Sequence, residues 1–130
     1  MTVQNFEDLQ IWQEARKLTN SVYEVTKLPT FANDFGLINQ IRRASISIGS
    51  NIAEGYERGG NQELMQFLSV AKGSSGEVRS QLYLALDLGY VEKEECEKLI
   101  DEFKKLTAMI NSFIKYLKKT SYKGMKYKTN

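Results

Sequence analysis

Ile41-Arg42-Arg43-Ala44-Ser45-Ile46-Ser47-Ile48-Gly49-Ser50-Asn51-Ile52-Ala53-Glu54-Gly55-Tyr56 is the stretch that decides the fold. Ile38, Ile41, Ser45, Ile48, Ile52 and Tyr56 recur at threes and fours, the spacing of one helix face. Ala44, Ser45, Ser47, Gly49, Ser50 and Ala53 make the segment small-sided, which lets another helix come close. A glycine in mid-helix costs about 1 kcal/mol, so packing rather than propensity must hold the segment helical. Asn33 or Asp34 is its N-cap, and Glu57-Arg58-Gly59-Gly60 is the turn that ends it.

The flanking segments repeat this pattern. Leu9, Trp12, Ala15, Leu18, Val22 and Val25 form an apolar stripe that stops at Lys27-Leu28-Pro29, where the residue before proline leaves the helical region. Leu64, Phe67, Leu68, Ala71, Ser74, Ser75, Val78, Leu82, Ala85 and Leu86 trace a third stripe, with Gly89 as a left-handed C-cap. An acidic first turn, Glu92 to Glu95, opens a fourth segment. Its face is Cys96, Leu99, Ile100, Phe103, Leu106, Ile110, Phe113, Ile114 and Leu117. The spacing predicts an all-α, antiparallel up-down-up-down four-helix bundle over residues 1–119. Its helices span about 6–27, 34–57, 62–88 and 92–119, followed by a basic, flexible tail over 120–130. Leu37, Ile46 and Met109 lie outside the strict inner stripes, which points to self-association.

Composition narrows the chemistry. The chain has 130 residues, no histidine and one cysteine. Without histidine the common zinc sites and the Ser-His and Cys-His dyads cannot be built. Glu54, Glu63 and Glu77 lack the spacing of a carboxylate metal site, so no metal or cofactor is expected. The thiol of Cys96, among Glu94, Glu95 and Glu97, reads as buried and inert. No enzyme activity is expected. No signal-like or membrane-spanning run is seen, so a cytoplasmic protein is expected.

The net charge of +2 conceals a gradient. Residues 1–90 hold 8 basic and 10 acidic groups, and residues 91–110 hold 4 and 6. Residues 111–130 hold six lysines and no acid. Lys115, Lys118, Lys119, Lys123, Lys126 and Lys128 are interleaved with Tyr116, Tyr122 and Tyr127, a pattern able to neutralise phosphates and stack on bases. Arg42, Arg43 and Arg58 could add to such a nucleic-acid surface from the second helix and its turn, Arg42 standing most clearly outside the segment's internal polar motif. The other reading of the tail is a solubilising terminus.

The stretch at 41–56 also resembles the signature of the four helix bundle proteins encoded in intervening sequences of bacterial 23S ribosomal RNA genes. The resemblance continues through Glu63-Leu64-Met65-Gln66-Phe67-Leu68, Ala71-Lys72-Gly73-Ser74, Glu77 and Gln81-Leu82, and reaches back to Leu9, Ile11 and Trp12. It implies an antiparallel bundle assembled as a homopentameric ring. A distant similarity to accessory proteins of diversity-generating retroelements implies nucleic-acid or ribonucleoprotein binding. The chain departs from the pattern at Gly49 (often proline), Ser75 (often leucine) and Arg79 (often an acid), and a bend at Gly49 is expected.

Arg43, Ser47, Asn51 and Glu54 are spaced along one side of the second helix, and Ser74 and Glu77 share a side of the third. They read as a structural polar network between helices or subunits, with a polar pocket as the other reading. Arg43 could pair with Glu77 or Glu54. Two function classes follow: an oligomeric nucleic-acid- or ribonucleoprotein-binding module, or a structural or protein-interaction scaffold with no nucleic-acid role. The partners expected are further copies of the chain, RNA or DNA, or a protein, and no membrane.

Overall fold

The computed structural model describes residues 4–127 of the backbone and side chains up to Thr120. Four α-helices make the bundle: α1 Gln10–Thr26, α2 Phe35–Glu57, α3 Asn61–Asp87 and α4 Lys93–Tyr127. Bonded pairs run in opposite senses along neighbours. Thr19 and Thr26 meet Ser45 and Arg42 across α1 and α2. Lys72, Ser75 and Cys96 link α3 with α4 in the same antiparallel way. α2 and α3 pack most extensively, and α1 is held far more by α2 than by α4.

Two boundaries and one mid-helix feature differ from the sequence reading. Residues Phe6–Asp8 form a separate 3-10 turn, because Leu9 is extended and breaks the helix before Gln10. α2 runs unbroken through Gly49, which sits in ordinary contact range of Trp12 and Ala15. α4 continues past Lys119 to Tyr127, since no proline stops it and its lysines are good helix formers.

The core follows the expected stripes with local exceptions. Leu18, Val22, Ile41, Ile48, Ile52, Leu68, Val78, Leu82, Phe103, Leu106 and Ile110 are fully buried. Ile11 is buried while Trp12 is only partly so, packing edge-on against Phe6 at 5.2 Å. Leu37, expected outside the inner stripe, is buried. Phe31, in the turn after α1, plugs that end of the core.

The same end is locked by polar bonds. Asp34 caps α2 by accepting from the Leu37 N–H at 3.1 Å, and its second oxygen accepts from the Tyr90 hydroxyl at 2.9 Å. Thr30 donates to the Tyr90 carbonyl. Gly89, at φ +77°, ends α3 with the left-handed cap expected, and Tyr90 N–H reaches back to the Ala85 carbonyl. The bond to Asp34, then burial, then the carboxylate charge raise the Tyr90 pKa above its usual value. A raised folded pKa gives stability that is present below about pH 10 and lost as pH rises through the folded value. Loss of the N-cap in Asp34→Ala is expected to lower the urea midpoint by the equivalent of about 1–2 kcal/mol, and loss of the Tyr90 partner to flatten the fall in stability above about pH 10.

Candidate functional site

The polar set of α2 and α3 divides into an inner thread and an exposed fringe. Ser47 and Ser74 share a hydrogen bond of 3.0 Å across the two helices. The Asn51 amide donates to the Ser47 carbonyl at 2.7 Å and to its hydroxyl at 2.9 Å. A buried hydroxyl without a partner would cost about 1–3 kcal/mol, so the thread satisfies the groups that the small-residue packing brings inside. Arg43, Glu54 and Glu77 are exposed. Arg43 pairs with neither carboxylate. Glu54 instead meets Arg58 one helical turn on at 2.8 Å, and Glu77 accepts from Gln81 at 3.3 Å.

A second thread, unforeseen from sequence, joins α3 and α4. Thr107 donates to Ser75 Oγ at 2.8 Å or to the Phe103 carbonyl at 2.9 Å, and Ser75 donates to that carbonyl at 3.2 Å. Its only sequence signal was Ser75, a hydroxyl set within the third apolar stripe, and that hydroxyl is bonded here. Cys96 is buried, and its thiol points at the Leu82 carbonyl at 3.2 Å. Burial, then the charges of Glu97 and Glu95, raise its pKa and hold it as a thiol. Among the described residues no group of three or more histidine, cysteine, aspartate or glutamate side chains is placed to hold a metal ion. Nor is any described helix long and apolar enough to cross a membrane.

The basic set does not form one surface. Arg42 is turned inward: its Nε donates to Thr26 Oγ1 at 2.8 Å, and its guanidinium lies 4.4 Å from the Tyr23 ring. The arginine read as standing outside the internal motif is thus a strut between α1 and α2. Arg58 lies over Phe67 at 5.1 Å while paired with Glu54. Lys115, Lys118 and Lys119 are exposed along α4, beside Tyr116 at 60% exposure. Tyr122, Lys123, Lys126, Tyr127 and Lys128 lie outside the described side chains.

A surface missed by the sequence reading lies where α1 and α4 part. A cleft of about 480 Å³ opens there, lined by Leu9, Gln10, Ile11, Ala108, Met109, Ser112 and Phe113. Met109 was the sequence signal, an apolar residue off the inner stripe. Further along the same seam a second cleft of about 620 Å³ carries Lys17, Glu24, Glu95, Lys98 and Glu102 on its rims.

Four packed helices, with hydroxyl threads inside and a cleft along the α1–α4 seam, define an all-α four-helix bundle. The chain belongs to the 23S rRNA-intervening sequence protein family, whose profile matches residues 7–112. A crystal structure of a protein of unknown function from the S23 ribosomal protein family of Bacteroides thetaiotaomicron has the same fold. Its TM-score is 0.75 at 21% identity, over 81% of this chain and 98% of that one. No curated protein matches the chain.

Proposed function

We propose that this chain is a non-enzymatic, cytoplasmic scaffold that binds a protein partner, assembled as the homopentameric ring its family resemblance implies. The observation that carries the reading is the α1–α4 seam. Its lower cleft is apolar, through Leu9, Ile11, Met109 and Phe113, and its upper rims alternate charge, through Lys17, Glu24, Lys98 and Glu102. An amphipathic helix with both signs of charge on its flanks matches that sequence of surfaces. Burial of its apolar anchors would supply about 25 cal/mol per Å² before the costs of association.

Ala108 is exposed at the edge of the lower cleft, so Ala108→Arg fills the seam without touching the core. Cross-linking and mass spectrometry on the full chain is expected to recover one helical partner protein, and Ala108→Arg to reduce that recovery about tenfold at unchanged thermal stability. Equal recovery by the two proteins overturns the reading.

A second reading is nucleic-acid contact, as the likeness to retroelement accessory proteins implies. The observation favouring it is the exposed row of Lys115, Tyr116, Lys118 and Lys119 on α4. Steep loss of RNA binding with salt would support it.

A further inference from the structure

The flank of α1 that faces α2 carries a cleft of a different character from the seam. Trp12, Arg16 and Asn20 stand one turn apart along α1. Ile46, Gly49 and Ser50 face them from α2, and a cleft of about 430 Å³ opens between the two rows. That volume suits a small ligand or one residue of a peptide. The lining carries one cation, Arg16, and no carboxylate. Acids edge the other two charged clefts: Glu24, Glu95 and Glu102 along the upper seam, and Glu92 beside Tyr90.

The hydrogen-bonding groups of this cleft sort into spent and open ones. Thr19 uses its hydroxyl on the Ala15 or the Ser45 carbonyl. The Asn20 amide nitrogen donates to the Arg16 carbonyl at 3.1 Å, which leaves the Asn20 side-chain oxygen open as an acceptor. Among the described residues, the Trp12 indole N–H, the Ser50 hydroxyl and the Arg16 guanidinium hydrogen-bond to no protein group. The indole is nevertheless fixed in place. Phe6 meets it edge-on at 5.2 Å, and the Arg16 guanidinium lies 5.7 Å from its centroid. A Cβ at Gly49 would stand 3.7 Å from the indole nitrogen, so glycine keeps that edge of the ring clear.

These groups describe their ligand. Three open donors, one of them charged, call for an anion. A single guanidinium balances one carboxylate and grips it with a fork of two N–H groups. A phosphate brings roughly 1.5 to 2 charges and would be left unbalanced. The open acceptor on Asn20 calls for an N–H near that carboxylate. Ile46, 44% exposed, and Ala53 offer apolar ground beside them. Carboxylate, amide N–H and apolar side chain occur together at the end of a polypeptide.

We propose that the α1–α2 cleft takes the C-terminal residue of a partner polypeptide, an apolar residue with a free α-carboxylate. Arg16, Trp12 and Ser50 hold the carboxylate, Asn20 accepts from the amide N–H, and Ile46 and Ala53 carry the side chain. The inference goes beyond the scaffold reading, because the cleft needs no partner helix and lies apart from Ala108 and Met109. Asn20 alone belongs to both, since it also edges the upper seam cleft.

Trp12 is the only tryptophan of the chain, so its emission reports on the cleft directly. The full chain is titrated with acetyl-alanyl-leucine, with the C-terminal amide of that peptide, and with 4-methylpentanoate, which keeps the carboxylate and the apolar body but lacks the N–H. The free-acid peptide is expected to give a saturable change with a Kd below roughly 5 mM. The amide should bind at least about tenfold more weakly, and 4-methylpentanoate several-fold more weakly. Arg16→Gln should weaken the peptide at least about tenfold by calorimetry, and Arg16→Lys less, because lysine keeps the charge and loses the fork. Asn20→Asp, equal in shape, sets a carboxylate against the ligand and should abolish binding. Arg16 and Asn20 are exposed, so helicity and melting temperature should not change. No saturable response, equal affinity for the amide, equal affinity for 4-methylpentanoate, or full affinity in Arg16→Gln overturns the proposal. Should Arg16→Gln melt early, Asn20→Asp carries the test. The Ala108→Arg protein should bind the peptide normally, so the fate of the seam reading is decided separately.

Discussion

Phe103→Ala is expected to lower stability by about 3–5 kcal/mol, the largest effect of any single substitution considered for this chain. The ring is fully buried on α4 and belongs to the one continuous core. Alanine would leave a cavity that the surrounding Leu and Ile side chains cannot close, because the backbone beside it is pinned. The Phe103 carbonyl accepts from Ser75, with Thr107 bonded to that carbonyl or to the Ser75 hydroxyl, and this thread does not depend on the ring. Small domains have only about 5–15 kcal/mol in total, so the variant should sit near the edge of folding. Urea unfolding at one fixed protein concentration is the check: the midpoint should fall with the slope unchanged. A loss below about 1 kcal/mol would mean that the helices collapse into the space and that the threads do not hold them.

Two alanine substitutions in neighbouring helices are expected to have opposite signs. A Cβ built at Gly55 lies 2.6 Å from Phe67 Cβ and 3.2 Å from Leu64 Cδ1. The first of these neighbours is fixed to the α3 backbone and cannot swing aside, so the helices must part. Overpacking of this kind costs about 1–3 kcal/mol, and the better helix propensity of alanine returns only about 1. Gly55→Ala is thus expected to be destabilising, and Gly55→Leu more so. At Gly73, in mid-α3, nothing lies within 4 Å of a built Cβ. There the propensity term acts alone, and Gly73→Ala should stabilise by up to about 1 kcal/mol. The paired melting temperatures should diverge by roughly 5–10 °C. Equal shifts of the same sign would show that close approach at Gly55 is not what the fold requires.

This contrast also marks how far the sequence could be read. Helical periodicity gave the four helices and nearly all of their buried stripes, because burial on one face leaves a regular trace at threes and fours. It could not separate Gly55 from Gly73, since a close approach depends on where the facing helix lies. The same limit hid Arg42. Its partners, Tyr23 and Thr26, stand on another helix, so the charge looked free until the helices were brought together. Ser47 and Ser74 were legible as a network because both lie on small-sided faces, whereas Thr107 carried no such mark. Phe31 was invisible for a different reason: a single buried ring in a short turn has no periodicity to read. The α1–α4 seam is a stretch of sparser packing between two helices that each look well patterned, and only Met109 hinted at it.

That seam has a consequence for motion. α1 is the shortest of the four helices and leans mainly on α2, through Thr19 to Ser45 and Arg42 to Thr26. Its other flank meets α4 less extensively, across a cleft lined by Leu9, Ile11, Met109 and Phe113. Local opening of α1 therefore exposes less apolar surface than opening of α3 does, and its free energy lies below that of global unfolding. A helix seated in the seam would remove that difference by covering both flanks at once. Occupancy would then be felt along all of α1, as slower amide exchange reaching Tyr23 and Thr26, and from there through the Arg42 strut into α2. The bundle would register its partner as stiffness rather than as a change of shape.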